Sequence, residues 1–317
     1  MSFKIISKPI MIVATATLVA SGLGLYVWKE QHRQPLLEIY VFALKSGRSM
    51  FVRTPDDQRI LIDGGANSEI IRHLTDILPF YTRRIDTIIV TNVDDKNISG
   101  LIDVISRYPV DKIYFSKFTL ENLGIASSTG VAHKTFLEIA KGKNIQIAEL
   151  STGEQVVLGQ SITKKVTANI LFPSDPLSFE YSKASAPELL FSISYDNTSL
   201  LFMGDASKKV QKHVASSSMP FVVDSDILIV SHSALPDNMA GELMKLVRPG
   251  SLIYETAVTK TQTKSSKPGN RKTATKKKPL ADPLAAILNE DRFNLKEVGT
   301  IKITSDGREI SVMSINK

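Results

Sequence analysis

Hydrophobic and polar positions alternate along most of the chain in short runs, and the period of these runs changes repeatedly between that of a strand and that of a helix. Runs bounded by turn residues such as Pro55-Asp56-Asp57 predict strands, and apolar positions three or four residues apart predict helices. The predicted strands are residues 37–44, 50–54, 59–62, 85–91, 112–115, 168–172, 189–195, 199–203, 227–230, 252–255, 299–304 and 309–314. The predicted helices are residues 67–78, 98–108, 206–215, 238–247 and 284–290. Two successive halves of mixed strand and helix favour an αββα sandwich, in which two stacked sheets carry helices on their outer faces.

The N-terminal part of the chain has a different pattern. Residues 9–28 carry no charge and form an apolar run of twenty residues, which as a helix reaches ~30 Å, the thickness of a bilayer core. We expect a short tail at residues 1–8, a transmembrane anchor at 9–28, a linker at 29–36 and a body at 37–317. A cleaved signal peptide and a buried helix of a soluble protein are the alternatives. On the first two interpretations the body lies outside the cytoplasm, and on the first the protein is a single-pass cell-membrane protein.

The chain contains no cysteine among its 317 residues. This excludes disulfide frameworks, thiolate metal sites, iron–sulfur clusters and cysteine nucleophiles. Any metal site must therefore be built from imidazole and oxygen ligands.

The positive charge is concentrated in one segment, residues 258–278, which holds eight basic residues and no acidic one. Because the formal net charge of the chain is +7, the remaining residues carry −1. A solvated loop and a polyanion-binding element are both compatible with such a run, which offers charge for phosphates but no aromatic side chains for base stacking. Its partner would be DNA, anionic envelope polymer or lipid headgroups; no protein partner is indicated. The basic residues are Lys260, Lys264, Lys267, Arg271, Lys272, Lys276, Lys277 and Lys278.

A series of short motifs occurs in a fixed order along the body. They are Ser49-Met50-Phe51-Val52-Arg53-Thr54-Pro55, Ile60-Leu61-Ile62-Asp63-Gly64-Gly65, Leu78-Pro79-Phe80, Arg84-Ile85-Asp86, Val90-Thr91, Ser99-Gly100-Leu101, Tyr108-Pro109-Val110-Asp111, Met203-Gly204-Asp205 and Asp226-Ile227-Leu228, followed by His232. In this order they resemble the metallo-β-lactamase fold, in particular the C-terminal domain of the DNA-internalisation competence protein ComEC and its free-standing relatives. The resemblance covers residues 37 to 317, and residues 258–278 stand where that family has a short connection.

The resemblance implies a metal site in the loop after the predicted strand 85–91, where the family has His-x-His-x-Asp-His. In this chain Asn92 and Asp94 stand at the first two histidine positions, Lys96 at the aspartate position and Asn97 at the last histidine position. No imidazole remains in the loop, and an ammonium group at Lys96 cannot bind a metal ion and repels it. The loop is therefore expected to have lost the family's metal.

Other positions of the implied site are partly kept. Asp205 stands at the bridging carboxylate position, and His232 remains where the family often has a pair of histidines. The acidic residue of the family's Gly-x-Gly-Asp turn is replaced in Lys45-Ser46-Gly47-Arg48. We expect the Lys96 ammonium to lie near the vacated metal position and to pair with Asp205, and also with Asp94; the alternative is a Lys96 side chain that points to solvent.

Two functions remain open from the sequence. The first is a membrane-anchored, catalytically inactive relative of the ComEC hydrolase domain that needs no cofactor and acts as a binding or scaffold module, for DNA or another polyanion. The second is an active phosphodiesterase-like hydrolase that uses zinc or manganese in an altered ligand set.

Overall fold

The computed structural model describes residues 17, 20–22, 24, 36–79, 82–117, 130–174, 188–216, 224–231, 239–255 and 291–315. The chain divides into two units, Met1–Pro35 and Leu36–Lys317. Most of the proposed anchor and the whole of the basic segment 258–278 lie outside the described residues. No helix among the described residues is both long and apolar enough to span a bilayer.

The first sheet of the described body begins at the N-terminus of the second unit and is completed by the C-terminal hairpin. Its strands are β1 (Leu37–Val41), β2 (Met50–Arg53), β3 (Arg59–Ile62), β4 (Ile85–Val90), β5 (Val110–Ser116), β6 (Gln146–Leu150), β14 (Thr300–Ser305) and β15 (Ile310–Ile315). They lie in the order β15-β14-β1-β2-β3-β4-β5-β6. Strands β3 to β6 are parallel neighbours, and the other pairs are antiparallel.

The second sheet is formed by the middle of the chain. Its strands are β7 (Gln155–Gln160), β8 (Lys165–Phe172), β9 (Leu190–Tyr195), β10 (Thr198–Gly204), β11 (Ile227–Val230), β12 (Ser251–Tyr254) and β13 (Arg292–Asn294). They follow one another in sequence order across the sheet. Strands β10 to β13 are parallel, so their carboxyl ends meet at one edge of the sheet.

Six described helices complete the body. They are α1 (Glu69–Ile77), α2 (Asp95–Arg107), α3 (Val131–Gly142), α4 (Lys208–Ser216), α5 (Gly241–Val247) and the short α6 (Leu295–Val298). Helices α1 to α3 pack on the outer face of the first sheet, and α4 and α5 pack on the outer face of the second sheet.

The alternation of side chains along the strands produces the layers. Ile60 and Ile62 on β3 point into a core between the two sheets, whereas Leu61 between them points to the outer helices. On β10, Phe202 lies in the same inter-sheet core and Leu201 faces the helices α4 and α5. Because both faces of each central strand are covered, buried apolar side chains occupy consecutive positions, as in Ile60-Leu61-Ile62 of β3 and Leu200-Leu201-Phe202-Met203 of β10. The four layers form the αββα sandwich that the sequence predicts.

The predicted elements differ from the structure mainly at their ends. The helix predicted at 98–108 begins at Asp95, since Asp94 takes the N-cap position and Asp95 places an acidic side chain in the first turn. The strand predicted at 37–44 ends at Val41. The pattern gave no prediction for α3, β6, β7, β13 and α6. The helix predicted at 284–290 lies outside the described residues.

Candidate functional site

Polar side chains from both sheets meet at the edge where the parallel strands end. Asp63 and Thr91 directly follow β3 and β4 of the first sheet, whereas Asp205 and Ser231 directly follow β10 and β11 of the second sheet. Glu188 precedes β9, and because β9 runs antiparallel to β10 its start lies at the same edge. This is the edge at which the resemblance places a metal.

The side chain of Arg48, from the loop between β1 and β2, reaches into this group and contacts the first sheet. Its Nε donates to Oδ2 of Asp63 at 3.0 Å, and a terminal nitrogen donates to Oγ1 of Thr91 at 2.8 Å. Asp63 in turn accepts the backbone N–H of Thr91 at 2.8 Å and also its hydroxyl. The Asp63 side chain is only 1% exposed, so this carboxylate is satisfied by Arg48 and Thr91 rather than by water.

The same guanidinium also contacts the second sheet. It forms an ion pair with Glu188, lies 3.7 Å from Oδ2 of Asp205 and donates to Oγ of Ser231 at 3.1 Å. Its central carbon lies 5.2 Å from the ring centroid of Phe202, a residue of the inter-sheet core. A single buried cation, 12% exposed, therefore joins the two sheets. We call this group the Arg48 centre; it consists of Arg48, Asp63, Thr91, Glu188, Asp205 and Ser231.

The backbone around the centre is fitted to this arrangement at two glycines. Gly204 has φ +48°, and a Cβ there would lie 1.8 Å from Oε1 of Glu188, so only glycine lets Glu188 reach the centre. Gly47, next to Arg48, has φ +74°, and a Cβ there would lie 1.7 Å from the carbonyl oxygen of Lys96. Close backbone approach at both sites keeps the Arg48 loop and the Glu188 carboxylate in place.

Burial and charge act together on the ionisable groups of the centre. Burial on its own lowers the pKa of Arg48, but the attraction of Glu188, Asp63 and Asp205 outweighs it and raises the pKa above its ordinary value, so the guanidinium stays charged. Burial raises the pKa of Asp63, although Arg48 and Thr91 oppose the shift. Burial also raises the pKa of Glu188 to about 7, with Arg48 opposing the shift and Asp205 adding to it.

Among the residues that the sequence singles out, Asp205 and Lys96 reach the centre. Lys96 Nζ lies 3.5 Å from Oδ2 of Asp205, but the Lys96 side chain is 50% exposed, so it closes the centre from the solvent side. The central position that we expected for Lys96 is held by Arg48. Asp94 is exposed and has no ion pair with Lys96 among the described residues, while Asn92 accepts the Asp94 backbone N–H through its side chain at 2.9 Å.

The remaining predicted positions contribute differently. Asn97 is 1% exposed in the first turn of α2, and its carbonyl accepts the Gly64 N–H at 2.7 Å, which ties α2 to the turn after β3. His232 and the eight basic residues of segment 258–278 lie outside the described residues. The described histidines serve elsewhere: His73 packs on Phe42 and His133 on Phe115, and His213 hydrogen-bonds Ser174 at 2.7 Å.

The described ligand set does not fit the zinc ion that the resemblance implies. Zinc requires imidazole or carboxylate groups that converge on an open point. Here the three converging carboxylates, Asp63, Glu188 and Asp205, converge on a guanidinium, and the Lys96 ammonium lies against one of them. A dication among these groups would lie within a few ångströms of two positive charges, so the described groups do not fit it.

Neither Arg48 nor Glu188 was predicted from the sequence as a site residue. The sequence did contain a signal for Arg48, since a basic residue stands in a turn where the family has an acid. Such a charge reversal indicates that a basic side chain has taken the place of the metal ion. Glu188 carried no comparable signal, because a lone acid before an apolar strand is also typical of a strand end. Asp63 occupies the turn after β3 with φ +55°, and it also pairs with Arg48.

Removal of Arg48 is expected to destabilise the protein much more than removal of Lys96. Arg48→Met leaves three acids at the centre without their buried counter-charge, which we expect to cost about 3–5 kcal/mol. Lys96→Met removes an exposed pair worth less than about 1 kcal/mol. Urea unfolding followed by circular dichroism measures both losses. Equal losses in the two variants would show that Arg48 does not hold the centre together.

The stability of the protein is expected to fall as the pH rises through neutrality. Since the pKa of Glu188 is raised in the folded state to about 7, its contribution is fully present below pH about 4.5 and is lost as the pH rises through about 7. Glu188→Gln, which keeps the shape without the titrating proton, should reduce this pH dependence. Urea unfolding at several pH values between about 5 and 8 measures it, with the exposed carboxylate variant Glu309→Gln as control. A Glu188→Gln profile that matches the wild-type profile contradicts the assignment.

Comparisons with known proteins give structural neighbours alone. No protein-family model matches the sequence, and no curated protein matches it. Among solved structures, the chain is similar to MEM-A1, a subclass B3 metallo-β-lactamase from a soil metagenome library, with 16% identity and a TM-score of 0.39 over 65% of this chain and 79% of that one. It is also similar to a long-form RNase Z from yeast, with 7% identity and a TM-score of 0.49 over 89% of this chain and 49% of that one. A third neighbour is a B3 metallo-β-lactamase with an active-site glutamic acid, with 12% identity and a TM-score of 0.40 over 68% of this chain and 87% of that one.

Proposed function

We propose that this protein is a metal-independent, non-hydrolytic binding module, similar to the ComEC hydrolase domain in its sequence motifs but with the catalytic metal site replaced by the Arg48 centre. The observation that carries the proposal is the Arg48 guanidinium, which lies between Asp63 of one sheet and Glu188 and Asp205 of the other. A guanidinium neutralises acids and donates hydrogen bonds, but it offers no empty orbital to a water molecule. The chemistry that makes hydroxide at neutral pH is therefore lost.

The contacts of the Arg48 guanidinium also support a centre without hydrolytic activity. A hydrolase keeps a position open for substrate next to its catalytic group, whereas the five donors of a guanidinium are directed to fixed partners. Here Asp63, Thr91 and Ser231 accept hydrogen bonds from Arg48, Glu188 pairs with it, and Phe202 lies beneath it. The donors are used within the protein, so the centre has a structural role.

Binding is proposed to depend on residues 9–28 and on segment 258–278. Residues 9–28 would anchor the protein in the cell membrane with the body outside the cytoplasm, and segment 258–278 would contact a polyanion, for which DNA is our first candidate. The support is the apolar run of twenty residues and the eight basic residues without an acid between them. The segment follows β12 in the sequence, and β12 itself ends at the edge where the parallel strands end.

The absence of metal chemistry is tested by adding metal to the full chain in mild detergent. With Zn²⁺ or Mn²⁺ in excess, we expect no rise in Tm, no metal retained through gel filtration, and no hydrolysis of bis(p-nitrophenyl) phosphate. A ligand that bound the folded state alone would raise Tm by mass action.

The opposite outcome would favour the active hydrolase. That outcome is stoichiometric metal together with hydrolysis that a chelator stops. Asp205→Asn and His232→Ala are the matched variants, because both must abolish metal retention if the family's ligand positions still act. Metal retained equally by the two variants would come from another site.

Polyanion binding is tested by changing all eight basic residues of segment 258–278 to glutamine. We expect double-stranded DNA to bind the wild-type chain with a steep salt dependence, and the variant to lose about ten-fold or more in affinity with a much smaller slope. Tm should change little, because lysine and arginine side chains are rarely buried in a core. The control changes three exposed lysines of α4, namely Lys208, Lys209 and Lys212, to glutamine. An unchanged affinity in the eight-residue variant would refute the polyanion assignment.

A further inference from the structure

The two described sheets end in four edge strands, and three of them carry features that prevent pairing with another strand. The register of β7 against β8 shifts between Val157 and Gly159, which indicates a bulge. Strand β13 has only three residues and includes Arg292, and β6 contains Glu149. Bulges, short strands and charges are the usual protection of an exposed sheet edge.

The fourth edge strand, β15, has none of these features. Its six residues, Ile-Ser-Val-Met-Ser-Ile, include no charge and no proline, and its register against β14 is regular from Ile310 to Ile315. In the described part of the chain no other strand pairs with its outer edge. An uncharged strand of this length is a template for another strand.

The side chains of β15 also favour a partner. Met313 and Ile315 are 51% and 37% exposed on one face of the strand. Ile310 and Val312, on the other face, are partly buried and pack against the inter-sheet core. An added strand would cover the first pair and extend the core at the second pair.

We propose that this edge is a self-association surface, at which β15 of one chain pairs antiparallel with β15 of a second copy and joins two first sheets into one continuous sheet. A two-fold axis perpendicular to the sheet keeps each face on its own side, so Met313 of both copies lies on the same face, and so does Val312 of both copies. The strand matches itself because it contains no charge that would meet its own copy with like sign.

The small area buried between two β15 strands limits the stability of the dimer. Two strands of six residues bury only a few hundred Å² per copy, below the roughly 800 Å² per partner of a standard stable interface. The dimer is therefore expected to be weak and concentration-dependent, with dissociation in the micromolar range or above.

The test is sedimentation velocity of the full chain in mild detergent over a hundred-fold range of concentration. We expect the wild-type chain to pass from monomer to dimer across this range. Met313→Lys places two like charges on the same face at the pairing edge and should raise the dissociation constant at least about ten-fold. Ile162→Lys is the matched control, because Ile162 is an exposed apolar residue on the turn between β7 and β8, and it should leave the constant within about two-fold.

A second variant keeps the test valid if Met313→Lys does not fold. Since the chain has no cysteine, Met313→Cys introduces a single thiol, and a short bismaleimide should cross-link two copies through it but not through Ile162→Cys. A wild-type chain that remains monomeric, or a dimer that Met313→Lys leaves unchanged, overturns the proposal. Cross-linking that is equal at both cysteines overturns it as well.

Discussion

One buried guanidinium joins the two halves of this sandwich. Arg48 leaves the loop after the first strand and contacts Asp63 and Thr91 of one sheet and Glu188, Asp205 and Ser231 of the other. Without a cation at this point, three carboxylates would meet at an edge where water has little access, and burial of unpaired charge is among the most costly events in folding. Gly47 and Gly204 have no Cβ, and this leaves the space that the Arg48 loop and the Glu188 carboxylate need to reach this point.

A guanidinium and a metal ion solve the same electrostatic problem with different chemical consequences. Both neutralise converging acids, but arginine does so with fixed planar donors and cannot activate water. Burial raises the pKa of the Glu188 carboxyl to about 7, although Arg48 opposes the shift. Lys96 adds a second positive charge from the solvent side at Asp205. The acids of the centre are therefore opposed by positive charges from within the chain, which is why we propose a structural role for it and a binding role for the protein.

The sequence predicted the layers of the fold well and the centre of the site poorly, for physical reasons. Strands such as β3 and β10 are buried on both faces, so their apolar runs are easily recognised in the sequence. The order of the short motifs resembled that of the metallo-β-lactamase fold and so implied two stacked sheets. Helix α2 was predicted three residues too late, because its first turn consists of the polar residues Asp95, Lys96 and Asn97, which lack the apolar spacing of a helix. The sequence did not indicate which of two nearby basic side chains, Arg48 or Lys96, lies at the centre. Arg48 reaches partners on both sheets, whereas Lys96 reaches Asp205 from an exposed position, and no spacing rule expresses this difference.

The most direct test of the account is a crystal structure of the protein grown in the presence of zinc, with diffraction data collected at the zinc absorption edge. If Arg48 takes the place of the metal ion, we expect planar guanidinium density between Asp63, Glu188 and Asp205 and no anomalous peak within bonding distance of these carboxylates. An anomalous peak there, with the Arg48 side chain displaced from the centre, would contradict it.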